Sequence, residues 1–284
     1  MNRKYPIGIQ SFENIRKEGY LYVDKTALIY QLVQTGKYYF LSRPRRFGKS
    51  LLLSTLQAYY EGKKELFDGL AMASLEKDWK TYPVLHLDLN ARRYEDVHSL
   101  VAILNQHLES WEAVYGDEKK DRAPEERFAY LIEKICRETG QKVVVLIDEY
   151  DKPMLQAIHN KELQSSYRNI LKAFYGVLKS KDAYLQFALL TGVTKFSKVS
   201  VFSDLNNLMD ISMDNRYAAI CGITEQELVT DLGEYIRDLS ETLQMSYEDL
   251  LRELQERYDG YHFVEDSEGL YNPCLLYTSD AADE

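Results

Sequence analysis

An α/β fold built on a mostly parallel sheet is what this sequence predicts, and three observations carry the prediction. Short apolar, β-rich runs alternate with longer segments of helical period. Each apolar run lies near a polar or glycine-containing break. The first run enters a basic turn that ends in Gly48-Lys49-Ser50, and a leucine-rich helical pattern follows at once.

The elements follow in chain order. The first strand is expected over Tyr38 to Ser42, and the helix after the turn carries Leu51, Leu52, Leu53, Leu56 and Tyr60, with Gly62 placed to end it. Further strands are expected over Val84 to Leu89, Val143 to Asp148 and Tyr184 to Thr191. Before the third of these four strands, Phe128, Leu131, Ile132 and Ile135 share one helical face, between Pro124 at its start and Gly140 past its end. Tyr167, Ile170, Leu171, Phe174 and Leu178 make a second stripe before the last strand, and both stripes read as core against the sheet. A short strand is expected near Asp210 to Met213. From Thr224 onward helices dominate, opened by Thr224 with Glu227 at capping-box spacing and again by Ser246 with Asp249. This gives an α/β domain over residues 1–215, a small helical subdomain over 216–273, and a tail over 274–284.

Composition limits the partners. The chain has 284 residues and a net charge of −10, so its surface as a whole repels a phosphate backbone, and its dense basic cluster lies in the turn itself. Nucleic-acid binding is therefore not supported. Three cysteines, Cys136, Cys221 and Cys274, show neither zinc nor disulfide spacing and point to a reducing cytoplasm. No apolar run has the length of a membrane span, and the N-terminus lacks the apolar core of a signal peptide. The five histidines are isolated and show no ligand spacing.

The turn carries the chemistry. A phosphate-binding loop reads G-x-x-x-x-G-K-[ST]: backbone N–H groups wrap the phosphates, the lysine reaches the terminal ones and the hydroxyl helps hold magnesium. Here the eight positions are "RPRRFGKS", with Arg43 where the first glycine stands. A bare GKS says little, but a strand before it and a helix after it aim free N–H groups and a positive dipole end at an anion. Residues Arg43, Pro44, Arg45, Arg46, Phe47, Gly48, Lys49, Ser50 and Leu51 are accordingly expected around a nucleotide. The arginines either add charge beside the phosphates or form a solvated turn; position favours the first.

"VVVLIDEYD" supplies the partner carboxylates. Asp148 at the strand end is expected to hold Mg²⁺ together with Ser50, and Glu149 to accept the proton of an attacking water. Thr191, at the end of the last strand with Thr194 and Lys195 close behind, is the candidate contact to the γ-phosphate or that water. The Asn-Lys-x-Asp element used to read guanine does not follow Asp148, which favours ATP over GTP.

The segments "YPIGIQSFENIRKEGYLYVDKT", "FLSRPRRFGKSLLL", "VVVLIDEYDKP", "LLTGVTKFSK" and "FSDLNNLMDISMDNRYAAICGITEQEL" together resemble the bacterial AAA-ATPase-like proteins, whose P-loop NTPase region is often followed by a nuclease-like domain of the PD-(D/E)xK type. The resemblance runs from about Tyr5 to about Pro273, and "RPRRFGKS" belongs to the family's pattern. It implies phosphate and magnesium roles for Lys49 and Ser50, a magnesium role for Asp148 and a hydrolytic role for Glu149. The chain stops where the nuclease-like domain would begin, so a missing C-terminal partner domain is implied. "CLLYTSDAADE" breaks the pattern and is expected to be non-native or disordered. AAA-type sites often borrow a residue from a neighbouring subunit, so a homo-oligomer stays open. No arginine finger stands out; Arg216 and Arg237 are the candidates. The leading expectation is Mg²⁺-dependent ATP hydrolysis; a nucleotide-gated switch with slow or absent hydrolysis, and a degenerate loop that binds nothing, remain as alternatives.

Overall fold

Two short helices, α1 (Phe12–Lys17) and α2 (Thr26–Thr35), precede the first strand, β1 (Tyr38–Ser42), in the computed structural model, which describes residues 4–194, 207–258, 261–263 and 269–273. Next come α3 (Lys49–Tyr60), α4 (Ala71–Leu75), β2 (Val84–Asp88), α5 (Val97–Tyr115), α6 (Pro124–Thr139) and β3 (Val143–Asp148). The α/β part continues with α7 (Lys152–Gln156), α8 (Lys161–Ser180), β4 (Leu185–Gly192) and β5 (Met209–Asp210). Beyond it lie β6 (Ile223–Thr224), α9 (Glu225–Asp231), α10 (Gly233–Leu243), α11 (Tyr247–Tyr258) and β7 (Leu270–Tyr271).

Strands β1 to β5 form one parallel sheet in the order β2-β3-β4-β1-β5. Strand β4 is thus inserted between the strand that feeds the GKS turn and the strand that ends in Asp148. Register places Leu41 beside Thr191, Ser42 beside Gly192, and Asp88 beside Asp148, so the chemically interesting residues meet along the carboxyl edge of the sheet. That edge is where open parallel sheets bind ligands.

Both faces of the sheet are covered, which is why its central strands are apolar at nearly every position rather than alternating. Tyr38, Phe40, Val143, Val145 and Ile147 face one core with the stripes of α5, α6 and α8. Tyr39, Leu41, Val144 and Leu146 face the other, against α2 and α3. A third, smaller core joins Leu228, Leu232, Ile236, Leu239, Leu250 and Leu254 with Leu21, which precedes α2, and Tyr271 of β7.

Local signals work as the sequence suggests. Gly140 closes α6 in the left-handed region at φ 68°, and Thr224 and Glu227 form a complete capping box. The strand edges shift slightly. Asp88 accepts the Asn90 N–H at 2.7 Å, turning Leu89 into a 3-10 turn, and Tyr184 lies in the turn before β4. The expected strand near Asp210 to Met213 is Met209–Asp210. Lys195, Cys274 and the tail 274–284 lie outside the described residues. Among the described residues, no helix is long and apolar enough to cross a membrane.

Candidate functional site

The GKS turn joins β1 to α3 as a tight loop with two residues in the left-handed region, Gly48 at φ 93° and Arg46 at φ 68°. Glycine takes that conformation without steric cost, whereas arginine does so at some strain. Gly48 caps α3 without any side-chain hydrogen bond, so the first N–H groups of the helix face the loop's interior. Lys49 is 4% exposed, and its Nζ donates to the carbonyls of Arg43 (3.1 Å) and Pro44 (3.2 Å) and lies 3.3 Å from Glu149 Oε1. The ammonium thus spans the mouth of its own loop.

Ser50 Oγ donates to Asp148 Oδ2 at 2.5 Å, across from α3 to the end of β3. The other Asp148 oxygen accepts the Thr191 hydroxyl at 2.6 Å and the Glu149 N–H at 3.0 Å. Asp148 is therefore clamped from three directions. Glu149 has φ 53°, a left-handed conformation that swings its side chain toward Lys49. Burial raises the Glu149 pKa, Lys49 opposes that rise, and Asp148 adds to it. A carboxylate held above its ordinary range is suited to taking a proton.

Thr191 departs from the expected role. It is fully buried, and its hydroxyl donates to Asp148 rather than facing the cavity. Because β4 lies between β1 and β3, the Thr191 side chain is spent on its neighbour strand. Asp151, which sequence reasoning left without a role, is also fully buried: it accepts the N–H groups of Val193 (3.1 Å) and Thr194 (2.6 Å) and the Thr194 hydroxyl (2.5 Å). It ties the turn after β4 to the turn after β3. A Cβ on Gly192 would come within 2.3 Å of the Tyr150 ring, so glycine is required at that crossing.

Arg43 also departs from expectation. Its backbone is in the loop, but its guanidinium is 1% exposed and points beneath it. Nη1 donates to the carbonyls of Ser42 (2.9 Å) and Ser212 (2.8 Å), Nη2 to those of Tyr217 (3.4 Å) and Ala218 (3.2 Å), and the group stacks 4.0 Å from the centre of the Phe263 ring. These carbonyls receive the guanidinium directly, and no carboxylate lies within ion-pair distance of it among the described residues, although the charge of Asp210 acts on it from further off. Arg45 and Arg46 are exposed at the rim. Phe47 is buried against the rings of Tyr261 and Phe263.

A cavity of about 490 Å³ opens onto the loop. Loop residues 45–51 and Glu149 line one end, whereas Arg43 and Pro44 do not reach it. A second wall is made by Ile9, Gln10, Leu21, Val23, Lys25 and Ile29 from the N-terminal segment and by Ile220 to Ile223, where the Gly222 N–H donates to the Phe47 carbonyl of the loop at 3.0 Å. Sequence reasoning missed this second wall, which lies in short, aperiodic stretches without a motif of known mechanism. Lys25 there is bound by Glu227 at 2.6 Å, so the N-terminal segment is pinned to α9 beside the cavity. Arg216 is paired with Asp214 at 2.6 Å, and neither it nor Arg237 lines the cavity. No cluster of three or more His, Cys, Asp or Glu side chains fit for a metal occurs among the described residues.

A protein described as uncharacterized, from the vnfD 5' region of Azotobacter chroococcum mcd 1, is 41% identical over 276 residues, covering 96% of this chain and 51% of its own length. The chain thus spans about half of that curated relative. A solved structure of the Aeropyrum pernix ORC2 protein, in ADPNP–ADP complexes, aligns with 81% of this chain and 65% of its own at 11% identity and a TM-score of 0.37. A family model described as "Predicted AAA-ATPase" matches residues 6–202, from the N-terminal wall of the cavity through the loop and both strand ends. The chain belongs to this AAA-ATPase-like family, and its parallel sheet and loop form a P-loop nucleotide-binding fold.

Proposed function

We propose that this chain binds ATP with Mg²⁺ in the cavity and hydrolyses it to ADP and phosphate. The observation that carries the proposal is the contact of Ser50 with Asp148, at 2.5 Å, next to a buried Lys49 that Glu149 holds at 3.3 Å. A hydroxyl and a carboxylate brought together from two elements form a hard oxygen pair, the donor type magnesium prefers. Ser50 and Asp148 would hold the ion, which when bound neutralises charge on the terminal phosphates.

The chain's own residues do the rest. The N–H groups at the start of α3 and the loop amides bind the phosphates. Lys49 exchanges the Arg43 and Pro44 carbonyls for phosphate oxygens. That exchange also releases Glu149, whose carboxylate orients a water and accepts its proton. Thr191 keeps Asp148 aimed at the loop. The apolar wall of Ile9, Leu21, Val23 and Ile29 suits the faces of a purine, and Gln10 offers both a donor and an acceptor to its edge.

Calorimetry tests the reading. ATP binding should require Lys49, vanish in Lys49→Ala and depend on Mg²⁺, while Glu149→Gln should keep binding and lose turnover. Normal turnover by Glu149→Gln would remove the general-base role.

A switch is the second reading, favoured by the wall at Ile220 to Ile223, which runs directly into α9 and the Lys25–Glu227 pair. A nucleotide seated there touches the elements that lead into the helical part. Bound ATP would then set the position of that part, and through it a C-terminal nuclease-like domain or a second copy of the chain. Binding without turnover by the isolated chain supports this reading over the first.

A further inference from the structure

The Glu149 end of the cavity holds a second lysine. Lys152 begins α7 and lines the cavity together with Lys49, Glu149, Asn90 and Gln156. Its Nζ donates to the Asn90 carbonyl at 2.6 Å and to Asn90 Oδ1 at 2.5 Å. Both partners are neutral.

This sets Lys152 apart from the other two lysines that line the cavity; Arg45 and Arg46, at the rim, likewise show no ion pair among the described residues. Lys49 faces Glu149, Lys25 is bound by Glu227, Arg216 by Asp214, and Arg43 is turned away beneath the loop. Among the described residues, Lys152 has no carboxylate within ion-pair distance. An ammonium held by amide oxygens keeps its full charge for a ligand, and with two of its three N–H donors engaged it has one left.

The placement is also built. The Lys152 N–H donates to the Glu149 carbonyl at 3.0 Å, which fixes its backbone relative to the proposed base. Asn90 is set by Asp88, whose carboxylate accepts the Asn90 N–H at 2.7 Å and whose strand runs in register with Asp148. Gln156, on the same helix, accepts the Tyr94 N–H at 2.7 Å, joining α7 to the segment after β2. The lysine is thus oriented by the ends of β2 and β3, the second of which carries Asp148 and Glu149.

We propose that Lys152 is a catalytic residue acting within its own chain: its ammonium contacts the terminal phosphate of ATP and stabilises the charge that develops during transfer to water. This rests on the ATPase reading above. In the step, the water oxygen bonds to the γ-phosphorus as its proton passes to Glu149. The bond from the γ-phosphorus to the bridging oxygen breaks, and ADP leaves with the electron pair. A cation supplied this way makes the site complete without a residue from a second copy.

The test uses the whole chain with Mg-ATP, measuring steady-state hydrolysis and ATP binding by calorimetry for wild type, Lys152→Met, Lys152→Arg and Asn90→Ala, with folding followed by thermal melts. The expected result is a loss of kcat of about 10² to 10³-fold in Lys152→Met, with the ATP Kd changed by less than about threefold. Lys152→Arg should recover much of the rate, Asn90→Ala should fall between, and wild-type turnover per subunit should stay flat as protein concentration varies. If Lys152→Met does not fold, a folded Asn90→Ala decides the matter, since a purely structural lysine would leave its kcat at the wild-type value. Wild-type kcat in Lys152→Met, a loss confined to KM, or turnover that rises steeply with protein concentration overturns the proposal. So does wild-type protein that binds ATP without turning it over. Failure of wild type to bind ATP at all defeats the underlying reading instead, and the two failures are thereby told apart.

Discussion

Restoring the glycine that a phosphate loop ordinarily carries at its first position should destabilise this protein. In Arg43→Gly the two short bonds to the Ser42 and Ser212 carbonyls, at 2.9 and 2.8 Å, are lost along with the longer ones to Tyr217 and Ala218. Hydrogen bonds from a charged donor contribute about 1.5–3 kcal/mol each, and a desolvated cation over an aromatic face about 2 kcal/mol. Counting only the two short bonds and the Phe263 contact gives roughly 5–8 kcal/mol in favour of arginine. Against this stands the cost of burying a guanidinium with no carboxylate at ion-pair distance among the described residues, several kcal/mol; burial also draws its pKa down, with Asp210 opposing. Glycine further adds about 0.5–1 kcal/mol of unfolded-state freedom. The net loss is about 3–5 kcal/mol, or roughly 6–10 °C in Tm at about 2 °C per kcal/mol for a chain of this size. Thermal melts followed by circular dichroism measure it. Arg43→Lys, which keeps the charge but loses the planar fork, should recover less than half. A melting temperature for Arg43→Gly within about 1 °C of wild type, or above it, would refute the view that the guanidinium holds the loop to residues 212–218.

Two other outcomes follow from the acidic end of the sheet. Thr191→Val keeps the shape but removes the hydroxyl that Asp148 accepts at 2.6 Å; a positioning partner of this kind is worth about 10–100-fold in metal affinity. Calorimetry across magnesium concentrations should show that loss, and unchanged magnesium dependence would contradict the positioning role. The raised Glu149 pKa gives a signed pH effect. The folded state binds this proton more tightly than the unfolded one, so Glu149 lowers stability as pH climbs from the ordinary glutamate value, about 4.3, through the folded value. Glu149→Gln lacks that proton, so its melting temperature relative to wild type should rise with pH over this interval; a flat or falling difference would show that Lys49 outweighs burial.

Much of the fold was legible because the sheet is buried on both faces. Val143–Asp148 and Tyr38–Ser42 are continuous apolar runs bounded by charged residues, and the stripes of α6 and α8 repeat cleanly at helical period. Where reading stopped, the cause is identifiable. Helix α1 is only six residues long, too short for its period to show, although Ser11 caps it through the Asn14 N–H. Helix α5 did carry a signal: Asp96 caps it, and Leu100, Ile103, Leu104 and Leu108 make its buried stripe. Strand order is another matter, because nothing local to β4 says that it enters between β1 and β3 rather than at an edge.

The site divides in the same way. Lys49, Ser50, Asp148 and Glu149 could be singled out because their positions, at a strand end and a helix start, are encoded by a short motif, and the structure brings them together. The contacts of Arg43 and Thr191 were not readable, since each is decided by what lies across the sheet: the carbonyls of Ser212, Tyr217 and Ala218 for one, the carboxylate of Asp148 for the other. The arginine in the glycine's place and the carbonyls that receive it therefore form one device. A glycine there would leave the loop free of residues 212–218, whereas arginine makes the loop, the end of β5 and the start of the 3-10 turn at Asn215–Ile220 move together. Lys49 hydrogen-bonds the Arg43 carbonyl, so the lysine that would bind phosphate and the arginine that holds the next segment share one residue's backbone. Under the switch reading proposed above, a ligand that draws Lys49 off that carbonyl would act on the residue that anchors residues 212–218, and through Ile220 to Ile223 on α9.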